Sequence, residues 1–198
     1  MARTKEFDET KALESAMRVF CENGYEGTSL QDLEQAMGLN RTSIYNAFGN
    51  KEAIYRRSLE RFCGQLDQGL QATLVSGKPL TAGLYAFFDQ AIEVYCGSNP
   101  PMGCLMICTA PSEAISHPEV GNDLKALIQR LDAGFTERLA RAKREGELPD
   151  GTQARLAAQL LQATLQSIAL RARSGHSKAG LRRLARYTID LILSEKAG

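Results

Sequence analysis

Apolar residues recur three and four positions apart along almost the whole chain, the period of helices with one buried face. Leu13, Met17 and Phe20 form a first stripe, and Gly24 stands where such a helix would stop. Thr28 and Gln31 have capping-box spacing and open a second helix, with Leu30, Leu33 and Met37 inward and Gly38 at its end. Asn40 is placed to cap a third, with Ile44 and Phe48 inward. Asn50 is placed to cap a long fourth, running through Ile54, Leu59, Phe62, Leu66 and Leu70.

Beyond residue 78 the punctuation changes, because all six prolines lie there. Gly77-Lys78-Pro79, the run Gly97 to Pro101, and Pro111 with Pro118 predict three breaks. An aromatic helix carrying Tyr85, Phe87, Phe88 and Tyr95 lies between the first two. A long amphipathic helix is predicted from about Glu119 to Glu145, a turn from Gly146 to Gly151, and two closing helices over 152–173 and 178–196. No strand pattern and no internal repeat emerges. The pattern predicts an all-α protein: a compact N-terminal unit joined by its fourth helix to a larger helical unit.

Composition changes this picture little. In 198 residues, 43% are hydrophobic, enough for a sizeable core, and the net charge of +1 points to no nucleic-acid or membrane partner by itself. The opening MARTKEFDE lacks the apolar stretch of a secretory signal. The longest apolar run, around Cys104 to Cys108, is too short to span a bilayer. A soluble cytoplasmic protein is the expectation. The five cysteines form no disulfide framework and no zinc-finger spacing, so reduced thiols are expected, with no bound metal or cofactor.

The informative stretch is TSLQDLEQAMGLNRTSIYNAF, residues 28–48. Two helical patterns too short to be stable alone meet at Gly38-Leu39. On a helical wheel Ile44, Ala47 and Phe48 share one arc, and Arg41, Thr42, Tyr45 and Asn46 the other. A short helix whose polar arc faces outward is either a solvated surface helix or the second helix of a helix-turn-helix, which enters the DNA major groove. Guanidinium, amide and hydroxyl groups are those that read base edges and phosphates. Thr28-Ser29 and Asn50-Lys51 flank this helix with donors at helix N-termini, where phosphates bind well.

The run Phe20 to Lys51 resembles the DNA-binding domain of TetR-family transcriptional regulators. The matching residues are Phe20, Gly24-Tyr25, Thr28-Ser29, Gly38-Leu39, Ser43-Ile44-Tyr45, Phe48 and Lys51-Glu52. The resemblance implies a three-helix helix-turn-helix domain over 1–52 and a helical effector-binding and dimerisation domain over 53–198. It implies a repressor acting on palindromic double-stranded DNA, with Thr28, Tyr45 and Lys51 on phosphates and Arg41, Thr42 and Asn46 on bases. Ala47 stands where the family often has His. Residues 1–52 hold six basic and nine acidic residues, a net of −3, so the charges must segregate. Arg3, Lys5, Arg41 and Lys51 are expected on the DNA face, the first two in an N-terminal arm or a disordered end.

Further on, Leu156, Leu160, Leu161, Leu165 and Ile168 line one apolar face, and Leu181, Leu184, Leu191 and Ile192 another. They fill a core or, as the resemblance implies, form a four-helix homodimer interface. Arg171, Arg173, Arg182, Arg183 and Arg186 read as a solvated face or, alternatively, an anion site. In PPMGCLMICTAPSEA, residues 100–114, Cys104 and Cys108 share one helical face near Met102, Met106 and His117. They are core fillers, thiol sensors, or soft-metal ligands for Cu(I). The Gly-Cys-Leu-Met run resembles TetR-family repressors that sense electrophiles, which implies Cys104 as the reactive thiol. Phe88 and Tyr95, with Tyr85 and Phe87, line an effector pocket or pack a core. Two other classes stay open. One is an enzyme built on a Cys104–His117 pair, although no orienting third residue, phosphate loop or cofactor fingerprint accompanies it. The other is an architectural DNA binder without an effector.

Overall fold

The computed structural model describes residues 7–75, 77–98, 101–149 and 151–194. Among them are nine α-helices and no strand: α1 Glu9–Asn23, α2 Leu30–Met37, α3 Arg41–Phe48, α4 Lys51–Leu70, α5 Leu80–Tyr95, α6 Leu105–Glu113, α7 Pro118–Arg144, α8 Ala154–Arg173 and α9 Lys178–Leu193. A π-helical turn, Gln71–Val75, continues α4. The N-terminal arm with Arg3 and Lys5, the last residues of the closing helix predicted to reach 196, and the side chain of Leu70 lie outside the described residues.

Local signals set most boundaries. Asp8 caps α1 by accepting from the amides of Thr10 and Lys11, and Gly24 ends it at φ 74°. The capping box of α2 is one residue later than the spacing predicted. Ser29 and Asp32 exchange the reciprocal hydrogen bonds, and Thr28 turns inward instead. Asn40 and Asn50 cap α3 and α4 as expected, each accepting an amide at 2.8 Å. Gly38 at φ 66° supplies the left-handed cap that lets α2 turn directly into α3.

Pro118 starts α7 at its first turn, as a proline should. Pro111, predicted as a break, lies inside α6 instead. It sits on the exposed face, where water can satisfy the carbonyl that its ring leaves without an amide.

Helix α1 packs on α2 and α4; the second unit is built on α7 against α8, α8 against α9, and α5 against α9. Its centre is aromatic. Phe87 meets Phe135 edge-on at 5.2 Å, and Phe88 stacks on the same ring at 6.4 Å. Buried Arg138 donates to the Lys78 carbonyl at 2.9 Å and faces Glu147 at 3.6 Å. Glu147 in turn accepts the Leu80 amide at the start of α5, where Pro79 offers no side-chain cap.

Candidate nucleic-acid interface

Helix α3 is held from inside by Ile44 and Phe48, both buried. Arg41, Thr42 and Asn46 are exposed, and Tyr45 is 46% exposed despite its ring. Ala47 is half-buried. The Arg41 guanidinium lies 5.8 Å from the Tyr45 ring centre, so the two side chains form one polar ridge. Four groups able to bond bases or phosphates therefore stand on one helix with nothing packed over them among the described residues.

The helix is braced by a residue that sequence patterns do not disclose. Arg57 of α4 donates to the Ala47 carbonyl at 2.9 Å, satisfying an acceptor at the end of α3. It also covers the Phe48 ring at 4.7 Å and pairs with Glu9 at 3.4 Å. Arg61 pairs with Glu14 one turn further along α4. Two of the nine acidic residues of the N-terminal segment are thus neutralised between α1 and α4.

Lys51 begins α4, and its ammonium lies 4.3 Å from the centre of the Tyr25 ring. Tyr25, the tyrosine of the Gly24-Tyr25 motif, is buried and is the platform for the cation. Thr28 is 1% exposed, and its hydroxyl donates to the Gly24 carbonyl at 2.6 Å. Its side chain is committed to the α1–α2 turn. The exposed group at this helix start is Ser29, whose hydrogen bonds also hold the Asp32 carboxyl below its ordinary range.

A contact chain runs inward from this face. Phe20, Tyr25 and Tyr55 pack together, with Tyr25 and Tyr55 rings 4.9 Å apart. The Tyr55 hydroxyl meets the Thr109 hydroxyl at 2.7 Å, and Thr109 donates on to the Leu105 carbonyl at 2.6 Å. Helix α6, with its cysteines, is therefore bonded to the helix that begins beside α3.

The sensor segment differs from the expected open thiol. Cys104 caps α6 without a side-chain hydrogen bond to the helix and is 1% exposed. Burial pushes its thiol far above the ordinary 9.0, and the amides of Ile107 and Met106 only partly oppose this. A helix start favours a thiolate, but desolvation is the larger effect here. The fully buried Tyr95 is a close neighbour of its sulfur, and the Cys104 thiol helps to push the Tyr95 hydroxyl upward. Cys108 is half-buried and also raised, mainly by burial. No third His, Cys, Asp or Glu joins these thiols in a metal-binding group among the described residues. His117 does not pair with Cys104; its ring stands edge-on to Tyr25 at 4.9 Å, and its Nε2 lies 4.0 Å from Glu26.

Phe88 and Tyr95 are core residues, 1% exposed, and do not line an open pocket. A narrow cleft opens instead between α4 and α5, walled by Phe62, Leu66 and Phe87 with Gln65 and Gln90 at its polar edge; its volume of about 20 Å³ admits little more than one water. A second, of about 200 Å³, opens between α4, α6 and α7 over Cys63 and Met106, rimmed by Asp67, Asp123 and Arg130. Asp123 also pairs with Arg56 of α4 at 3.1 Å.

These thiols give a measurable expectation. Iodoacetamide at neutral pH should label half-exposed Cys96 and Cys108 first. Cys21, Cys63 and Cys104 should label only after unfolding, as read by peptide mass spectrometry. Burial raises Cys63 to about 11 and Cys21 to about 12. Folded values above the unfolded 9.0 mean that the folded state keeps protons which the unfolded state loses. The stability linked to these thiols is therefore complete below pH 9 and drains away as pH rises through about 11–12.

A helix-turn-helix with an outward polar recognition helix, followed by a separate helical unit, defines a DNA-binding regulator. Residues 12–57 match the family model described as bacterial regulatory proteins, tetR family. Residues 81–188 match that of the tetracyclin repressor-like C-terminal domain, and the chain belongs to the TetR family of transcriptional regulators. This family consists of DNA-binding transcription factors, not enzymes. The chain is similar to the HTH-type transcriptional repressor ComR of Escherichia coli K12, 29% identical over 190 residues, covering 96% of this chain and 90% of ComR. It is also similar to the TetR-family regulator CifR, solved as a cysteine mutant with 26-bp operator DNA. That likeness has a TM-score of 0.84 and 27% identity over 94% of this chain and 98% of CifR. The reduced form of Escherichia coli NemR shares the fold, with a TM-score of 0.79 and 21% identity over 96% of this chain and 98% of NemR. No helix among the described residues is long and apolar enough to cross a membrane.

Proposed function

We propose that this repressor binds a palindromic operator as a homodimer, with Arg41, Thr42 and Asn46 of α3 reading bases and Tyr45 and Lys51 holding phosphates. The unobstructed polar ridge of α3 is the observation that carries this reading. Ser29 and the α2 N-terminus take the phosphate role first assigned to Thr28, whose hydroxyl is engaged within the turn. The division of the chain follows the same logic. Residues 1–52 form the reading unit and 53–198 the effector-binding and dimerising one, with α4 shared between them.

Arg41→Ala is expected to weaken operator binding by about 1–3 kcal/mol and to relax preference at one base pair, as loss of a bidentate guanine contact does. Lys51→Ala should weaken operator and random DNA alike and lower the salt slope by about one. Fluorescence anisotropy at several salt concentrations separates the two. Operator affinity unchanged in both variants would place the contact on another surface.

Dimerisation falls to the leucines that the core leaves outside. Leu161, Leu165, Ile168 and Leu181 are spent inside the protomer, and Ile192 is nearly so. Leu156, Leu160 and Leu170 on α8 and Tyr187 and Leu191 on α9 remain exposed, Tyr187 at 70%. Positions 156, 160, 163, 167 and 170 repeat at four and three residues, as do 180, 184, 187 and 191, the spacing of a helix-bundle seam. Release from DNA is assigned to a small effector entering the cleft between α4, α6 and α7. Cys104 modification requires α6 to open first.

A further inference from the structure

We propose that Glu26, Glu113 and His117 form a binding site for a divalent cation of the zinc class, tying the α1–α2 turn to the α6–α7 junction. One donor atom from each of the three lies within 4.8 Å of the others. The residues come from three places in the fold. Glu26 is in the turn before α2, Glu113 ends α6, and His117 immediately precedes α7. An imidazole nitrogen and two carboxylate oxygens are ligands that zinc accepts at about 2.0–2.2 Å, leaving a fourth position for water.

A second observation points the same way. Glu113 is 6% exposed, yet no Lys or Arg pairs with it among the described residues. The Ser112 hydroxyl, at 3.1 Å from Oε1, is its one side-chain hydrogen bond there. A buried carboxylate that stays ionised is stabilised by a paired cation or a bound metal. Arg56, Arg57 and Arg61 are engaged with other acids, and Lys51 rests on the Tyr25 ring.

The site is also preorganised. The His117 amide donates to the Glu113 carbonyl at 2.8 Å, which fixes the two backbones, and Tyr25 holds the imidazole edge-on. Tetrahedral zinc sets its ligand atoms about 3.4 Å apart, so the group must contract. Glu26 can supply that movement, because its side chain is 76% exposed at the surface of a turn. Its position in that turn means that an occupied site would hold the helix-turn-helix against α6 and α7.

The test uses the full-length protein stripped with a chelator. Co(II), a spectroscopic stand-in for zinc, should bind once per chain with weak visible bands and without intense sulfur-to-metal charge transfer. Zn(II) should displace it and raise Tm. Glu113→Gln removes a buried charge while keeping shape, so it should fold, as circular dichroism would verify. Both Glu113→Gln and His117→Gln should weaken binding at least about 100-fold, the upper end for losing a mere supporting partner. Glu26→Gln should weaken it by a smaller factor. Absence of cobalt binding, strong thiolate charge transfer, or unchanged affinity in the folded Glu113→Gln and His117→Gln variants would each overturn the proposal.

Discussion

A Leu160→Asp protein is expected to sediment as a folded monomer and to lose operator binding at concentrations where the parent protein is saturated. Leu160 is 45% exposed on α8, so a carboxylate there is hydrated in the isolated protomer and costs the fold little. In the proposed four-helix contact it would be buried without a partner, at about 3–5 kcal/mol. Two-fold symmetry places the same charge on both sides, so the penalty counts twice. Leu191→Asp, 40% exposed on α9, tests the other half of the seam. In the proposed dimer, operator affinity is lost together with dimerisation because one recognition helix reads only one half-site. A dimeric, DNA-binding Leu160→Asp protein would move the interface away from these helices. Analytical ultracentrifugation with anisotropy on the same samples decides it.

The second large effect is on stability. Phe135→Ala should lower unfolding free energy by about 3–5 kcal/mol, the range for deleting a buried aromatic ring. Phe135 is fully buried, and both Phe87 and Phe88 pack on it. Removing it opens a cavity where α5 meets α7, and neither neighbouring phenylalanine can fill it without leaving its own contacts. Urea denaturation followed by circular dichroism would show the midpoint shift with an unchanged slope. A loss below about 1 kcal/mol would mean that the aromatic cluster collapses around the gap.

The reading unit was legible in the sequence because its signals are local. Caps, glycine stops and apolar spacing act over three or four residues, and Asn40, Asn50, Gly24 and Gly38 each stand where the pattern put them. The one-residue slip at α2 arose because Thr28 and Ser29 are both competent caps. Only tertiary packing, which buries Thr28 against the α1–α2 turn, distinguishes them. The second unit was legible in its helices and much less in its chemistry. A sequence shows that Cys104 lies near a helix start, where a thiolate is favoured. It does not show that Tyr95 and the core close over the sulfur and reverse that preference.

Long-range partners were invisible for the same reason. Glu147 caps α5 from 67 positions away, and Arg57 terminates α3 from the next helix. The leucines of α8 and α9 illustrate the limit. Periodicity found both apolar faces, but only packing separates Leu161 and Leu165, which are core, from Leu156 and Leu160, which are surface.

Helix α4 has the proportions of a lever. Its 20 residues make a rod about 30 Å long. Its near end carries Lys51 beside the recognition helix, and its far end passes into the π-helical turn at 71–75. Such wide turns are weak points in a helical rod and serve as natural pivots. A tilt of roughly 5° about that pivot would carry the Lys51 end through about 2.6 Å. In the proposed homodimer, a two-fold axis would apply the same stroke in the opposite sense on the partner subunit, changing the distance between the reading heads by up to about 5 Å. Against a half-site separation of about 34–36 Å, an event at the clefts too small to alter either fold would put one head out of its groove whenever the other is seated.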